Sequence, residues 1–293
     1  MARGIDHIVH AVHDLDAAAA LYRSLGFQVG ARNRHAPSWG TQNHIVQLGG
    51  SFIELLAVTE PVGIAPHGPR SFSFGAHNRD ALTRGEGLSM LVLEGHDAHA
   101  DAQAFREARI GDFDVFDFER EGRRPDGTPI KVAFSLAFAS DPAAPDIGFF
   151  TCQHRFPENF WNPEFQVHFN TATRVAGVVL VANKPSDHYR FLTAFTGAGE
   201  VAASTSGLGV MTPRGEIQVI DPASFERNFG EKPPDIRRGT QLAAMRIAVR
   251  NLGIASAVLR GANLDAREYR EKLIVGPETA MGATLVFEAL RTE

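Results

Sequence analysis

"GIDHIVHAVHDLDAAAALYRSLGF", residues 4–27, decides the fold. It is an apolar strand carrying histidines, a polar break at His13 and Asp14, and an alanine-rich helix that opens after Asp14 and closes near Gly26. The same order of strand, turn and helix returns in "LSMLVLEGHDAHADAQAFREARIG" (88–111), "GVVLVANKPSDHYRFLTAFTG" (177–197) and "LAAMRIAVRNLGIASAVLRGANL" (242–264). Self-similarity of one supersecondary unit signals a repeated architecture. Three strand-like segments follow each copy. After the first they are "FQVGARN", "NHIVQLG" and "SFIELLAV"; after the second, "FDVFDFERE", "IKVAFSLAF" and "DIGFFTCQ", with hairpin signals at "PDGT" and "SDPAAPD". The third copy is followed by "EVAAST", "LGVMT" and "GEIQVID", the fourth by "AREYRE", "KLIVG" and "ATLVFEAL". The spacing predicts four βαβββ modules, an α+β fold.

Glycine- and proline-bearing connectors at 61–87 and 221–240 occupy like places in the two halves. The division is expected at 1–154 for one two-module domain, 155–172 for an aromatic-rich connector and 173–293 for the second domain. The connector carries Phe156, Phe160, Trp161, Phe165 and Phe169. So much aromatic surface should pack, and the nearest apolar surface is the mouth of the first half, which would bring Trp161 and His168 within reach of a ligand.

Composition narrows the function. The 293 residues carry a formal charge of -5 with no block of Lys or Arg, which argues against nucleic acid as a partner. The longest apolar run, "VAGVVLVA" (175–182), is too short to span a membrane, and no basic segment leads into an apolar one at the start. A soluble cytoplasmic protein acting on a small molecule is expected, and a homodimer is left open. Cys152 is alone, so neither a disulfide within the chain nor a thiolate cluster is available, and a metal would need His, Glu, Asp or Gln.

A βαβββ module curves its sheet around a concave cup with the helix outside. Alternation groups Ile5, His7 and Val9 on one face of the first strand, and Asp6, Ile8 and His10 on the other. In "SFIELLAV", Phe52, Glu54 and Leu56 share a face. If those faces are concave, an imidazole and a carboxylate meet in the cup, a pair that can bind a divalent cation. A lone histidine in an apolar strand is more often a satisfied core residue. Glu54 weighs the other way, because a buried carboxylate without a partner is expensive. Asn43 and Gln47 lie on one face of "TQNHIVQL" and His44 on the other, so the two amides are the expected substrate contacts. Cys152 is expected on the helix side, out of phase with Gln153.

The stretches "IDHIVHAVHDLDAAAALYRSLGF", "WGTQNHIVQLGGSFIELL" and "HFNTATRVAGVVLVA" resemble the vicinal oxygen chelate superfamily, and within it the glyoxalase-like proteins. The resemblance implies two incomplete-barrel glyoxalase-like domains. It also implies a divalent metal (Zn, Ni, Mn or Fe) held from the first and last strands of paired modules, which matches His7 and Glu54. The third ligand would be Gln153 or His154 if modules one and two pair, or Glu288 if one and four pair. Tandem pairing is preferred because short connections favour neighbours. Met90, Gly177 and Ala244 replace His7 in the other copies, while Gln153, Val219 or a neighbour, and Glu288 stand at the Glu54 position. The site is therefore expected in the first half, with His7, Glu54 and Gln153 on the metal and Asn43, Gln47, His154 and Trp161 on the substrate. The implied activity is a metal-dependent lyase or isomerase of the glyoxalase type on an oxygen-rich substrate, with Glu54 or His168 moving a proton. A metal-free binding protein of the bleomycin resistance type is the alternative. An extradiol dioxygenase fits less well, since Met90 stands where a second histidine would be needed.

Overall fold

The computed structural model describes residues 1–123 and 127–290; Pro125 and Asp126 of the expected "PDGT" turn lie outside them. The first module runs β1 (Ile5–Ala11), α1 (Leu15–Ser24), β2 (Asn33–Arg34), β3 (Thr41–Leu48) and β4 (Ser51–Val58). Asp14 caps α1 by accepting from the backbone N–H groups of Asp16 and Ala17, and the helix buries Leu15, Ala18, Ala19 and Tyr22 along one stripe. The strand expected at "FQVGARN" shrinks to the two residues of β2. After α2 (Phe74–Leu82) the second module follows: β5 (Gly87–Glu94), α3 (Ala98–Ala108), β6 (Phe116–Arg123), β7 (Pro129–Ala139) and β8 (Gly148–His154). A short helix, α4 (Pro157–Phe160), leads to the second half.

That half repeats the plan with β9 (Ala172–Val181), α5 (Tyr189–Thr196), β10 (Ala202–Ser204), β11 (Gly207–Met211) and β12 (Glu216–Ile220). Then come α6 (Pro222–Phe229), β13 (Gln241–Val249), α7 (Leu252–Gly261), β14 (Ala266–Tyr269), β15 (Lys272–Val275) and β16 (Thr284–Ala289). The two eight-stranded sheets have equivalent orders, β2-β3-β4-β1-β5-β8-β7-β6 and β10-β11-β12-β9-β13-β16-β15-β14. Neighbouring modules therefore pair, through antiparallel β1–β5 and β9–β13. The fold is α+β with two glyoxalase-like half-barrels.

One apolar core runs along the helix-covered faces of both sheets, joining Ile8, Tyr22 and Phe105 of the first half to Val178, Phe195 and Phe287 of the second. The concave faces hold separate clusters, one around Val9, Phe74, Met90 and Phe150, the other around Val179, Phe225, Ala244 and Val286. The two long connectors thus each contribute a helix, α2 or α6, whose phenylalanines enter a cup. A buried His188 also clasps the halves, its Nδ1 2.6 Å from Asp141 Oδ2 and its Nε2 2.8 Å from Thr240 Oγ1. No helix among the described residues is long and apolar enough to cross a membrane.

The halves meet closely at Gly282, where φ is +82° and an added Cβ would lie 1.8 Å from the Glu86 carbonyl oxygen. Backbone cannot yield there as a flexible side chain would. Gly282→Ala should cost about 2–4 kcal/mol, from strain at positive φ added to overpacking. Urea unfolding should show a lower midpoint; an unchanged midpoint would mean that the contact between the halves is loose.

Candidate active site

The alternation in β1 and β4 brings His7 and Glu54 into the first cup, with His7 Nε2 3.8 Å from Glu54 Oε2. The His7 ring stacks on Phe52 with centroids 4.2 Å apart. The alternation fails one residue earlier. Pairing of β1 with β5 shifts register between Ile5 and His7, a bulge that leaves Ile5 in the helix-side core and turns Asp6 toward the cup end of β8. Asp6 Oδ1 lies 2.6 Å from His7 Nδ1, and Asp6 Oδ2 lies 3.1 Å from His154 Nε2. Burial by itself would push the Asp6 carboxyl up, but His154 and His7 outweigh it and hold the group well below the usual carboxylate range. With Nδ1 of His7 committed to a carboxylate, its Nε2 is the atom presented to the cup.

Glu54 is held by a second chain of contacts. Asn43 Nδ2 donates to Glu54 Oε1 at 2.5 Å and also lies 3.1 Å from His35 Nε2, which is itself 3.6 Å from Glu54 Oε1. Asn33 Nδ2 donates to Asn43 Oδ1 at 3.2 Å, and Arg120 Nη1 donates to Asn33 Oδ1 at 2.7 Å. Burial pushes the His35 imidazole down, with Glu54 opposing and Arg120 adding to the effect. A neutral ring accepting from Asn43 at Nε2 carries its proton on Nδ1, 2.8 Å from Thr41 Oγ1. Around these groups stand Trp39, Phe74, Phe118, Phe134, Phe150 and Phe160, enclosing a cavity of about 70 Å³.

Asn43 therefore joins His7 and Glu54, while several other expected contributors do not. Gln153 points out of the cup, its Oε1 accepting from the Ala98 N–H at the start of α3. Cys152 takes the cup face instead, in the cluster with Val9 and Phe150. Alternation was right for β8, but both its faces are apolar and the phase was read backwards. His168 is fully used by backbone: its Nδ1 accepts from Gln28 N–H at 3.0 Å and its Nε2 donates to the Gln47 carbonyl at 2.8 Å, so it has no atom left to move a proton. Gln47 clamps the connector, donating from Nε2 to the Phe160 carbonyl and accepting at Oε1 from Asn162 N–H. The connector does cover one end of the cup, with Phe160 in the lining and Trp161 stacked on His154 at 5.6 Å. His10, off the cup, is buried against Tyr22 Oη and the Met281 carbonyl.

Strand register moves the counterparts of Glu54 in the second and fourth modules and picks out Gln218, next to Val219, in the third. The pairs equivalent to Val9 with Glu54 are Val92 with Phe150, Val179 with Gln218, and Arg246 with Val286. The residues two places earlier in the first strands are His7, Met90, Gly177 and Ala244. Only the first module keeps both a histidine and a carboxylate. Glu288 lies in the other sheet, paired with Arg246, which also binds Glu216. The larger cavity, about 600 Å³ at the mouth of the second cup and between the halves, is lined by no histidine or cysteine.

Two donor sets could hold a cation. Asp6, Cys152 and His154 present ligand atoms within 4.8 Å of one another. Asp6, however, already serves two histidines, and burial, with the charges of Asp6 and Glu54, pushes the Cys152 thiol far up, away from the thiolate that binds metal. His7 and Glu54 fit better: a histidine backed by a carboxylate, facing an acid whose Oε2 accepts no hydrogen bond among the described residues. His35 and Asp6 were missed by the sequence reading, His35 because it sits in a loop without periodicity.

On α2, His77 is buried, and that burial pushes its pKa down to about 4. The unfolded chain takes up this proton below about pH 6.5 and the folded chain only below about 4, so stability should fall by roughly 3 kcal/mol as pH drops through that window. Urea melts of the wild type and His77→Gln at pH 7 and 4.5 should show a shallower fall in the variant; equal slopes would mean that His77 titrates normally.

A family model described as a glyoxalase-like domain matches residues 5–196. No curated protein sequence matches the chain. Among solved structures, a hypothetical protein from Staphylococcus aureus is similar over 99% of this chain and 100% of its own, at 13% identity and a TM-score of 0.67. A fusion of a xylose isomerase-like TIM barrel with 4-hydroxyphenylpyruvate dioxygenase is similar over 100% of this chain and 49% of its own, at 10% identity and a TM-score of 0.55. A mutant of 4-hydroxymandelate synthase from Streptomyces coelicolor is similar over 100% and 95%, at 12% identity and a TM-score of 0.53. At these identities the likeness is one of fold.

Proposed function

The chain belongs to the glyoxalase-like domain family of the vicinal oxygen chelate superfamily, and from that membership we propose that it is a metal-dependent enzyme of the lyase or isomerase type, working in the first cup on a small oxygen-rich substrate. The observation that carries this reading is the His7 ring, set between Asp6 at 2.6 Å and Glu54 at 3.8 Å. A divalent ion held by His7 and Glu54 would supply Lewis acidity to the substrate oxygens and stabilise negative charge forming on them. Asp6 fixes the ring so that Nε2 faces the cup. Asn43 orients the Glu54 carboxylate toward His7, and Glu54 would have to leave the ion to take a proton from the substrate carbon, with His35 3.6 Å from Oε1 as the next group in line. The aromatic walls keep water from the charge as it develops.

A second reading, a metal-free binding protein, draws on Met90 and Phe150, which stand where the second module would contribute ligands. Proton exchange separates the two. Small hydroxycarbonyl compounds incubated with the protein and a divalent ion in deuterated water should exchange the C–H next to the carbonyl, and Glu54→Gln should abolish the exchange. Ion-dependent oxygen uptake without exchange would favour a dioxygenase, and ligand binding with neither would favour the binder.

A further inference from the structure

On β6, Phe116, Phe118 and Arg120 alternate with Asp117, Glu119 and Glu121. The first set turns inward, with the rings of Phe116 and Phe118 5.1 and 5.3 Å from Trp39 and Arg120 lining the cup. The second set is exposed, and Glu119 is paired with Lys131. Alternation thus places a guanidinium where the pattern calls for a third apolar side chain, and aims its neighbouring carboxylates away from it. Its hydrogen bond is to a neutral amide oxygen, that of Asn33, and no carboxylate lies within 4.0 Å of it among the described residues. Burial pulls its pKa down, with the charge of Glu54 opposing. A half-buried guanidinium has five donors to satisfy and a charge to compensate; here one donor goes to Asn33 and no carboxylate among the described residues is in contact.

Resting on the reading of the first cup as the ligand site, we infer that Arg120 anchors an anionic group of the substrate, so that the cup takes a small carboxylic acid whose acid group sits at β6 and whose remaining oxygens face His7 and Glu54. A carboxylate matches the planar fork of the guanidinium. The cavity of about 70 Å³ suits a small acid. Asn33 links the two ends of the site, since it accepts from Arg120 and donates to Asn43, which holds Glu54.

Lactate and lactamide differ in charge and little else, so each should be titrated calorimetrically into metal-free wild type, Arg120→Lys and Arg120→Gln. Wild type should prefer lactate by roughly 10- to 100-fold, the preference should shrink in Arg120→Lys, and it should all but vanish in Arg120→Gln. A wild type without the preference, or an Arg120→Gln that keeps it, would overturn the assignment. Zinc affinity, measured on the same three proteins by dialysis, should be equal in all. Wild type that prefers lactate but binds no zinc would remove the metal and leave the anion anchor standing.

Discussion

Glu54→Gln should bind divalent ions about 100-fold more weakly than the wild type, while its metal-free form unfolds within about 1 kcal/mol of the metal-free wild type. The carboxylate is one of two protein donors facing each other in the cup, and a neutral amide cannot replace its charge at a divalent cation. The fold loses little, because the glutamine Oε1 can still accept from Asn43 Nδ2 and a buried charge is removed. Dialysis against zinc and urea melts of metal-free protein measure the two effects separately. A sharp loss of stability with zinc binding intact would make Glu54 a structural partner of Asn43 and His35.

Asp6→Ala should cost about 3–5 kcal/mol at pH 7 and weaken metal binding by a further 10- to 100-fold. It deletes the acceptor shared by His7 Nδ1 and His154 Nε2 and leaves the buried His7 ring without its partner. The pH dependence follows from the depressed folded-state pKa of Asp6. Its contribution is complete above the ordinary unfolded value of about 4 and is lost as pH falls below that toward the folded value. The gap between wild type and Asp6→Ala should therefore be widest above about pH 5 and should shrink steadily as pH is lowered below about 4. A gap below about 1 kcal/mol at pH 6 would mean that the bulge around Asp6 relaxes when the carboxylate is gone.

His7 and Glu54 were legible because each is a polar group in a largely apolar strand, and the cap of α1 at Asp14, three residues after the end of β1, fixes where the first of those strands stops. Asp6 was not, since a bulge depends on how β5 pairs with β1, which one strand cannot reveal. Phe149, Thr151 and Gln153 offered as good a cup face in β8 as Phe150, Cys152 and His154, and only the partner at Ala98 decides between them. His168 and Gln47 look like site residues by type, yet backbone atoms from distant segments occupy their polar ends. Arg120 carried a signal that could have been used, an arginine on the apolar phase of "FDFERE". The repeat itself was the clearest feature of the chain, because each module closes its own helix cap and strand pattern locally.

Cobalt(II) titration followed by absorption tests the metal at His7 and Glu54 most directly, because the spectrum reports the donor atoms. One ion per chain should bind with visible bands of nitrogen and oxygen ligation and no sulfur charge-transfer band, unchanged in Cys152→Ser and lost in His7→Ala. A sulfur band that disappears in Cys152→Ser, or no binding at all, would contradict the account: the first would move the ion to Asp6, Cys152 and His154, and the second would leave the cup a metal-free binding site.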